Sequence, residues 1–138
     1  MKQSDTALRI VQGIEKCIGK ELETYDEDEN EISLILPSNY TNSELHITHN
    51  ADDFWETEYI RYLTYDKNKW QNMEHIINET LRLADTLDSV KKYSGPIDVG
   101  CNDLAYGIKV SIRYDLAQLE KVWEFATKFL KQVMDKQE

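Results

Sequence analysis

Two histidines and the carboxylates that follow them have the residue types and the spacing of a metal site. His46 and His49 are separated by two residues, and Asp52 and Asp53 follow shortly after them. Imidazole and carboxylate groups are common ligands of zinc and other divalent metals. The alternating pattern around the histidines indicates a strand, however, and residues three apart on a strand point to opposite faces. We therefore expect the two imidazoles to diverge, and we predict neither a metal ion nor another cofactor.

Carboxylate pairs that could exchange protons with a substrate are also present, at Asp52/Asp53 and at Glu56/Glu58. General acid–base catalysis requires a carboxyl group whose pKa is shifted by burial in a cleft, and nothing in the sequence pattern singles out such a group. The sequence contains neither the nucleophile elbow of hydrolases nor a glycine loop that cradles phosphate. We therefore expect no catalytic residues, and an enzyme is the third interpretation, after two kinds of binding protein.

The negative charge is concentrated in one part of the chain. The 138 residues carry a formal net charge of −10. Between residues 21 and 60 there are twelve acidic residues and no Lys or Arg, whereas the remainder has 14 acidic and 16 basic residues. Binding to nucleic acid requires cations that displace the counterions of the phosphates. Direct binding of nucleic acid by this segment is therefore not expected.

The acidic segment continues into an aromatic cluster between Phe54 and Tyr65. Protein interfaces often place aromatic anchors inside a charged rim, and complementary charge accelerates association. The opposing interpretation, which stays open, is that the aromatics belong to the core and the acids only maintain solubility. Under the first interpretation, the predicted partner-binding residues are Asp26, Glu27, Asp28, Glu29, Glu31, Glu44, Asp52, Asp53, Glu56, Glu58, Trp55 and Tyr59.

The elements that must position these residues follow from the hydrophobic periodicity of the first half of the chain. Apolar residues recur at helical spacing between Ala7 and Leu22, and the following stretch ETYDEDENE reads as a polar connector. Two alternating runs predict a hairpin in which Leu36 faces Leu45, and Ile32 faces His49. A third strand is favoured over a helix for residues 54–65.

The second half of the chain is predicted to contain a long helix and a second hairpin. The helix runs from about Asp66 to Tyr93 and ends at the Ser94-Gly95-Pro96 sequence. The hairpin turns at Asn102-Asp103, which places Ile97 opposite Ile108. A last helix follows, and its first turn carries the capping-box residues Asp115 and Gln118.

The predicted fold is a single α+β domain over residues 1–138, in the order α-β-β-(β)-α-β-β-α. It has a mainly antiparallel sheet of about five strands with helices packed on it. The N-terminus lacks the apolar core of a signal peptide, and no segment approaches the roughly 18 apolar residues of a membrane span. We therefore expect a cytoplasmic protein that does not bind membranes.

Two hypotheses about function follow. In the first, the protein is a small non-catalytic binding protein that docks its acidic surface on a basic protein, such as a nucleic-acid-binding protein or a nuclease. It would act as an inhibitor or immunity protein, or as a phage anti-defence protein that mimics nucleic acid. In the second, the order of elements, the size and the acidity resemble the small acidic chaperones of type III secretion systems. That resemblance implies an acidic dimeric chaperone or assembly adaptor, and a homodimer is compatible with either hypothesis.

Overall fold

The computed structural model describes residues 2–28, 30–36, 43–50, 54–63, 70–87, 90–100 and 103–136, and within them it has six strands and three helical regions. Helix α1 (Lys2–Ile18) is followed by strands β1 (Glu23–Glu27), β2 (Glu31–Leu36), β3 (Ser43–His49) and β4 (Trp55–Leu63). Helix α2 (Trp70–Ala84) precedes strands β5 (Lys91–Gly100) and β6 (Asp103–Tyr114). The C-terminal helical region consists of a 3-10 turn (Leu116–Gln118), α3 (Leu119–Phe125), a π-helical turn (Ala126–Leu130) and α4 (Lys131–Lys136).

The strands form one antiparallel sheet in the order β1-β2-β3-β4-β6-β5. The α+β class and the predicted order of elements are confirmed, including the strand that was favoured for residues 54–65. The sheet has one strand more than expected, because part of the acidic connector is strand β1. This strand lies at one edge of the sheet, and β5 lies at the other edge.

The core lies between one face of the sheet and the helices. Alternate residues of the central strands, among them Leu34, Leu45 and Tyr59, are fully buried on this face. The ring of Tyr59 meets the edge of Phe129 in the C-terminal helical region, with 5.3 Å between ring centroids. Burial of apolar side chains on one face of the strands and one stripe of each helix supplies most of the driving force for this arrangement.

Helix α1 packs closely on the C-terminal helical region at Gly13. A Cβ atom at this position would lie 2.2 Å from the ring of Trp123, so the absence of a side chain permits the contact.

The predicted capping box at the start of the C-terminal helical region is confirmed. The Asp115 side chain accepts a hydrogen bond from the Ala117 N–H at 2.9 Å, and the Gln118 side chain accepts one from the Asp115 N–H.

The long helix predicted from Asp66 to Tyr93 is wrong at its C-terminal end. Helix α2 ends at Ala84, and the chain is a strand again from Lys91. The residues that were expected to stop the helix lie inside β5. A proline is tolerated there because an edge strand leaves one side of its backbone without ladder partners. Residues 64–69, where the helix was predicted to begin, lie outside the described residues.

Both predicted hairpins are present with a different register. In the first, Leu34 pairs with Leu45 and Ile32 with Ile47, two residues away from the predicted pairing. A shift of two keeps every side chain on the same face, so the alternation could not detect it. In the second, Ile97 lies opposite Ala105 instead of Ile108. Asp103 pairs with Gly100 and belongs to the strand instead of the turn, which shifts the register by two residues, and an irregularity in β5 between Asp98 and Gly100 shifts it by one more. A β-bulge of this kind displaces all later pairs.

In the part of the chain that the structure describes, no helix has the length and apolar character that crossing a membrane would require.

Candidate functional site

The face of the sheet that points away from the helices carries most of the candidate residues, and we call it the open face. Paired residues of an antiparallel ladder lie on the same face, so its members follow from the register. They include Glu23 and Asp26 on β1, Glu31, Ser33 and Ile35 on β2, Glu44, His46 and Thr48 on β3, Glu56, Glu58, Ile60 and Tyr62 on β4, Lys109, Ser111 and Arg113 on β6, and Lys91 and Tyr93 on β5. Carboxylates therefore occupy strands β1–β4, and the lysines and arginine occupy β6 and β5.

His46 lies near the middle of this array and bridges two carboxylates. Its Nδ1 is 2.7 Å from Oε1 of Glu31 on β2, and its Nε2 is 2.9 Å from Oε2 of Glu44 on its own strand. The Ser33 hydroxyl lies 3.2 Å from Nδ1 and 3.3 Å from Oε1 of Glu31. The Tyr62 hydroxyl donates to Oε2 of Glu44 at 3.3 Å. Only a protonated ring can donate to both carboxylates at once.

The environment of His46 favours its charged form. Partial burial lowers the pKa of the ring, but hydrogen bonds to Glu31 and Glu44, together with the charges of these groups, outweigh it and raise the pKa above its ordinary value of 6.5. The His46 side chain is 18% exposed, so these interactions are partly shielded from water. The two short contacts to carboxylates and the direction of the pKa shift both favour a protonated imidazole in the acidic part of the open face.

Glu58 pairs directly with His46 across strands β3 and β4. Burial is the main cause that raises the pKa of its carboxyl group, and the charges of Glu56 and Glu31 raise it further, against the opposing effects of Lys109 and His46. Its neighbour Glu56 is held differently, by an ion pair in which Arg113 Nε lies 3.3 Å from Oε2. The carboxylates of Glu31, Glu44, Glu56 and Glu58 therefore lie close together on this face. The groups that can offset their charges are the His46 ring, Lys109 and Arg113.

Ser33, His46 and Glu44 are the residue types of a hydrolase triad, but their geometry does not activate a nucleophile. The Ser33 side chain is buried, with 5% exposure, and its hydroxyl is close to Glu31 as well as to the ring. A substrate carbonyl would have to reach this hydroxyl through the surface of a sheet, where the backbone N–H groups are used in the ladder and cannot form an oxyanion hole. The cluster therefore has the residue types of a triad without the geometry that would activate the Ser33 hydroxyl.

The two histidines considered as metal ligands diverge, as the strand periodicity predicted. His46 lies on the open face, whereas the ring of His49 stacks on Trp55 on the helix side of the sheet, with 4.6 Å between centroids. Among the residues that the structure describes, no group of three or more His, Cys, Asp or Glu side chains could hold a metal ion. Asp52 and Asp53 lie outside those residues.

The segment from residue 23 to residue 31, which we call the acidic hairpin, consists of β1, a turn and the start of β2. The Asp28 carboxylate closes the turn, since its Oδ1 accepts the N–H groups of Asn30 at 2.7 Å and of Glu31 at 2.8 Å. Glu23, Asp26 and Glu27 are exposed, and none of them has an ion pair within the described part of the chain. Glu29, also predicted to bind a partner, lies outside the described residues.

The structure separates the predicted aromatic contacts from the predicted acidic ones. Trp55 is 4% exposed and Tyr59 is fully buried, since both point toward the helices. Their rings belong to the core and are not accessible to a partner in this conformation, and a role for them in binding stays a prediction. Among the described residues of the same region, Phe54 is an exposed aromatic, with 45% exposure.

Sequence reasoning missed the neighbours that organise the open face, namely Ser33, Lys109 and Arg113. A detectable signal was present, because all three occupy the polar positions of strands whose apolar positions were identified correctly. Ser33 lies opposite His46 and Arg113 opposite Glu56, whereas Lys109 lies opposite Ile60 and acts on Glu58 through its charge. These contacts depend on the register, and the first hairpin was predicted two residues away from the register observed. No protein-family model matches this chain, and no curated protein or solved structure shows a significant similarity to it.

Proposed function

We propose that this protein is a small non-catalytic binding protein that docks the acidic hairpin and the adjoining carboxylates of the open face on a basic protein. The observation that carries the proposal is the placement of charge across the sheet. The acidic strand β1 and the lysine-bearing strand β5 lie at opposite edges of six strands. The acids of β1 therefore have no cationic strand beside them.

The distance across the sheet decides whether its own cations can neutralise the edge. Neighbouring strands lie about 4.8 Å apart, so β5 is about 24 Å from β1 and β6 is about 19 Å away. The Debye length at physiological ionic strength is about 8 Å, so charges separated by these distances are largely screened from each other. The inner acids Glu56 and Glu58 have cations from β6 as neighbours, whereas Asp26 and Glu27 can gain a cation from a binding partner.

The partner would be a cationic protein, and nucleic-acid-binding proteins and nucleases are the class with suitable surfaces. Carboxylates on an exposed edge can occupy the positions that phosphates would take in such a site. This supports an inhibitor or immunity protein, or a phage anti-defence protein that mimics nucleic acid. We further propose that this partner is met in the cytoplasm. Contact with bare nucleic acid or with a membrane surface is not part of the proposal.

Edge acids have a competing explanation that an experiment must separate. Charged side chains on an edge strand also prevent the strand from pairing with another copy of the chain. Lysine gives the same protection as glutamate or aspartate, so reversal of the charge preserves this role while it removes attraction to a cation. A variant with Asp26→Lys and Glu27→Lys therefore distinguishes the two explanations.

The second hypothesis, a dimeric chaperone or assembly adaptor, remains a prediction without a specific observation in its favour. A chaperone of this kind would bind an extended segment through apolar stripes on its helices. In α1 and the C-terminal helical region these stripes lie in the core, where Ile10, Ile14, Phe125 and Leu130 have no exposed surface.

The test is affinity capture from the native host with tagged wild-type protein and two charge variants, washed through a salt series. The control variant, Glu74→Lys with Glu120→Lys, changes net charge by the same amount at exposed positions on the helices. We expect wild type and control to retain a basic protein at about 0.1 M salt and to release it below about 1 M, because surface attraction is screened. The Asp26→Lys/Glu27→Lys variant should not retain it. Equal retention by all three proteins would contradict the proposal.

A further inference from the structure

The bridge made by His46 has two distinct protonation states, and the structure shows how the groups around it would differ between them. The protonated ring has an N–H on each nitrogen and can donate to Glu31 and to Glu44 together. The neutral ring keeps one N–H and presents a lone pair on the other nitrogen. A carboxylate oxygen less than 3 Å from a lone pair is repelled, so one of the two carboxylates must move when the proton leaves.

Glu31 is the carboxylate that the geometry selects to move. Its side chain is 39% exposed, whereas the Glu44 side chain is 23% exposed and also accepts the Tyr62 hydroxyl. The Ser33 hydroxyl lies within hydrogen-bond reach of both Glu31 Oε1 and His46 Nδ1. When the ring is neutral, the Ser33 hydroxyl can therefore donate a hydrogen bond to Nδ1 and take the place of Glu31 as the partner of this nitrogen.

We propose that His46 is a proton-operated control of the open face: its protonated ring fixes Glu31 and Glu44 and offsets one of their charges, and its deprotonation releases Glu31 toward solvent. This inference deepens the proposed function and rests on it for its biological meaning. Glu31 belongs to the acidic hairpin, so its release would add a free carboxylate to the surface proposed to bind a cationic partner. A basic partner would then bind more tightly as the pH rises.

The other charged groups around His46 set the background for this control. The titratable and charged side chains that face it from the neighbouring strands are Asp26 on β1, Glu31 on β2, Glu44 on β3, Glu56, Glu58 and Tyr62 on β4, and Lys109 and Arg113 on β6. The carboxylates outnumber the cations, so the sum of their charges favours the protonated ring. The pKa of Glu58 is raised, mainly by burial, so its carboxyl group takes up its proton at a higher pH than an ordinary glutamate does.

Nuclear magnetic resonance on the whole protein directly tests the effect of His46 protonation on Glu31 and Glu44. The His46 ring and the side-chain carboxyl carbons of Glu31 and Glu44 would be followed from about pH 5 to about pH 9, a range in which histidines titrate. We expect a His46 midpoint above 6.5, and an inflection of both carboxyl signals at that midpoint, larger for Glu31. His46→Gln should abolish this inflection, and the control His75→Gln, at an exposed position on α2, should leave it unchanged. A His46 midpoint at or below 6.5, or carboxyl signals without that inflection, would overturn the proposal.

A second measurement separates this inference from the proposed function. A fluorescent oligo-arginine peptide stays fully charged throughout the range, so its affinity at constant ionic strength reports changes in the protein alone. We expect the affinity of wild type to rise about two- to fivefold between about pH 6 and about pH 8.5, and that of His46→Gln to stay nearly flat. The same pH dependence in both proteins would refute the coupling to binding. If the peptide binds at no pH, the proposed function fails. The NMR titration of the carboxyl signals then still shows whether protonation of His46 fixes Glu31.

Discussion

Replacement of His46 by glutamine should destabilise the protein at mildly acidic pH and much less at alkaline pH. The folded-state pKa of the ring is raised above its ordinary value of 6.5 by Glu31 and Glu44, which outweigh the effect of burial. A group whose pKa is raised on folding contributes stability that is fully present below its unfolded pKa. That contribution is lost as the pH rises through the folded pKa. The stability that His46 contributes should therefore begin to fall near pH 6.5 and continue to fall as the pH rises through the folded-state pKa.

The expected magnitude follows from the two hydrogen bonds. They measure 2.7 Å and 2.9 Å, and both acceptors are carboxylates. Buried hydrogen bonds to charged groups contribute more to the free energy of unfolding than exposed ion pairs do. Because both glutamates are partly exposed, we expect the contribution of this cluster to lie between these two cases. We expect a loss of about 1 to 2 kcal/mol at about pH 5.5, which corresponds to a fall in Tm of about 3 to 6 °C for a chain of this size.

Urea unfolding of wild type, His46→Gln and His75→Gln at about pH 5.5 and about pH 8.5 measures this difference. The control removes an exposed histidine from α2, where no bridge between carboxylates is formed. A loss of stability in His46→Gln that is equal at both pH values would show that the ring contributes through packing alone. A loss that is larger at the alkaline pH would contradict the assignment of a protonated bridge.

Three further substitutions test separate parts of the structure. Glu58→Gln should raise Tm by about 1 to 3 °C at neutral pH, where the partly desolvated carboxylate is charged, and should have little effect at about pH 3, which is below the ordinary pKa of a glutamate, so that the carboxyl is protonated in both states. Gly13→Ala should destabilise by about 1 to 3 kcal/mol in urea unfolding although alanine favours helices, because its Cβ would overlap the Trp123 ring, whereas Gln12→Ala should be nearly neutral. Asp115→Ala should remove about 1 kcal/mol, seen in the same assay, because the first turn of the C-terminal helical region loses its cap.

Hydrophobic alternation predicted the strands that carry apolar side chains on one face. It did not predict β1, which lacks such an alternating set of apolar side chains. Strand β1 reads ETYDE and carries no aliphatic residue, so it looked like a connector. A strand at the edge of a sheet needs little apolar surface, because its backbone pairs with one neighbour and charged side chains are favoured there. The end of α2 was misplaced for a related reason, since Gly95 and Pro96 stop helices but are also tolerated in an edge strand.

The candidate site was predicted in part. The acids were identified from composition, but alternation alone could not show which of them share a face with a cation. Glu56 and Arg113 are 57 residues apart and meet only because β4 pairs with β6. The burial of Trp55 and Tyr59 was not predicted, because an aromatic residue on a strand has the same sequence signature whether it points to solvent or to the core.

The dependence of association on salt tests the central claim most directly. With the captured partner purified, the association rate constant and Kd would be measured for wild type, Asp26→Lys/Glu27→Lys and Glu74→Lys/Glu120→Lys at ionic strengths from about 0.02 M to about 0.5 M. We predict that the rate constant for wild type and for the helix variant falls more than about tenfold over this range. For the Asp26→Lys/Glu27→Lys variant it should be low and nearly flat throughout. Association that is insensitive both to salt and to reversal of the acidic hairpin would contradict an acidic docking surface.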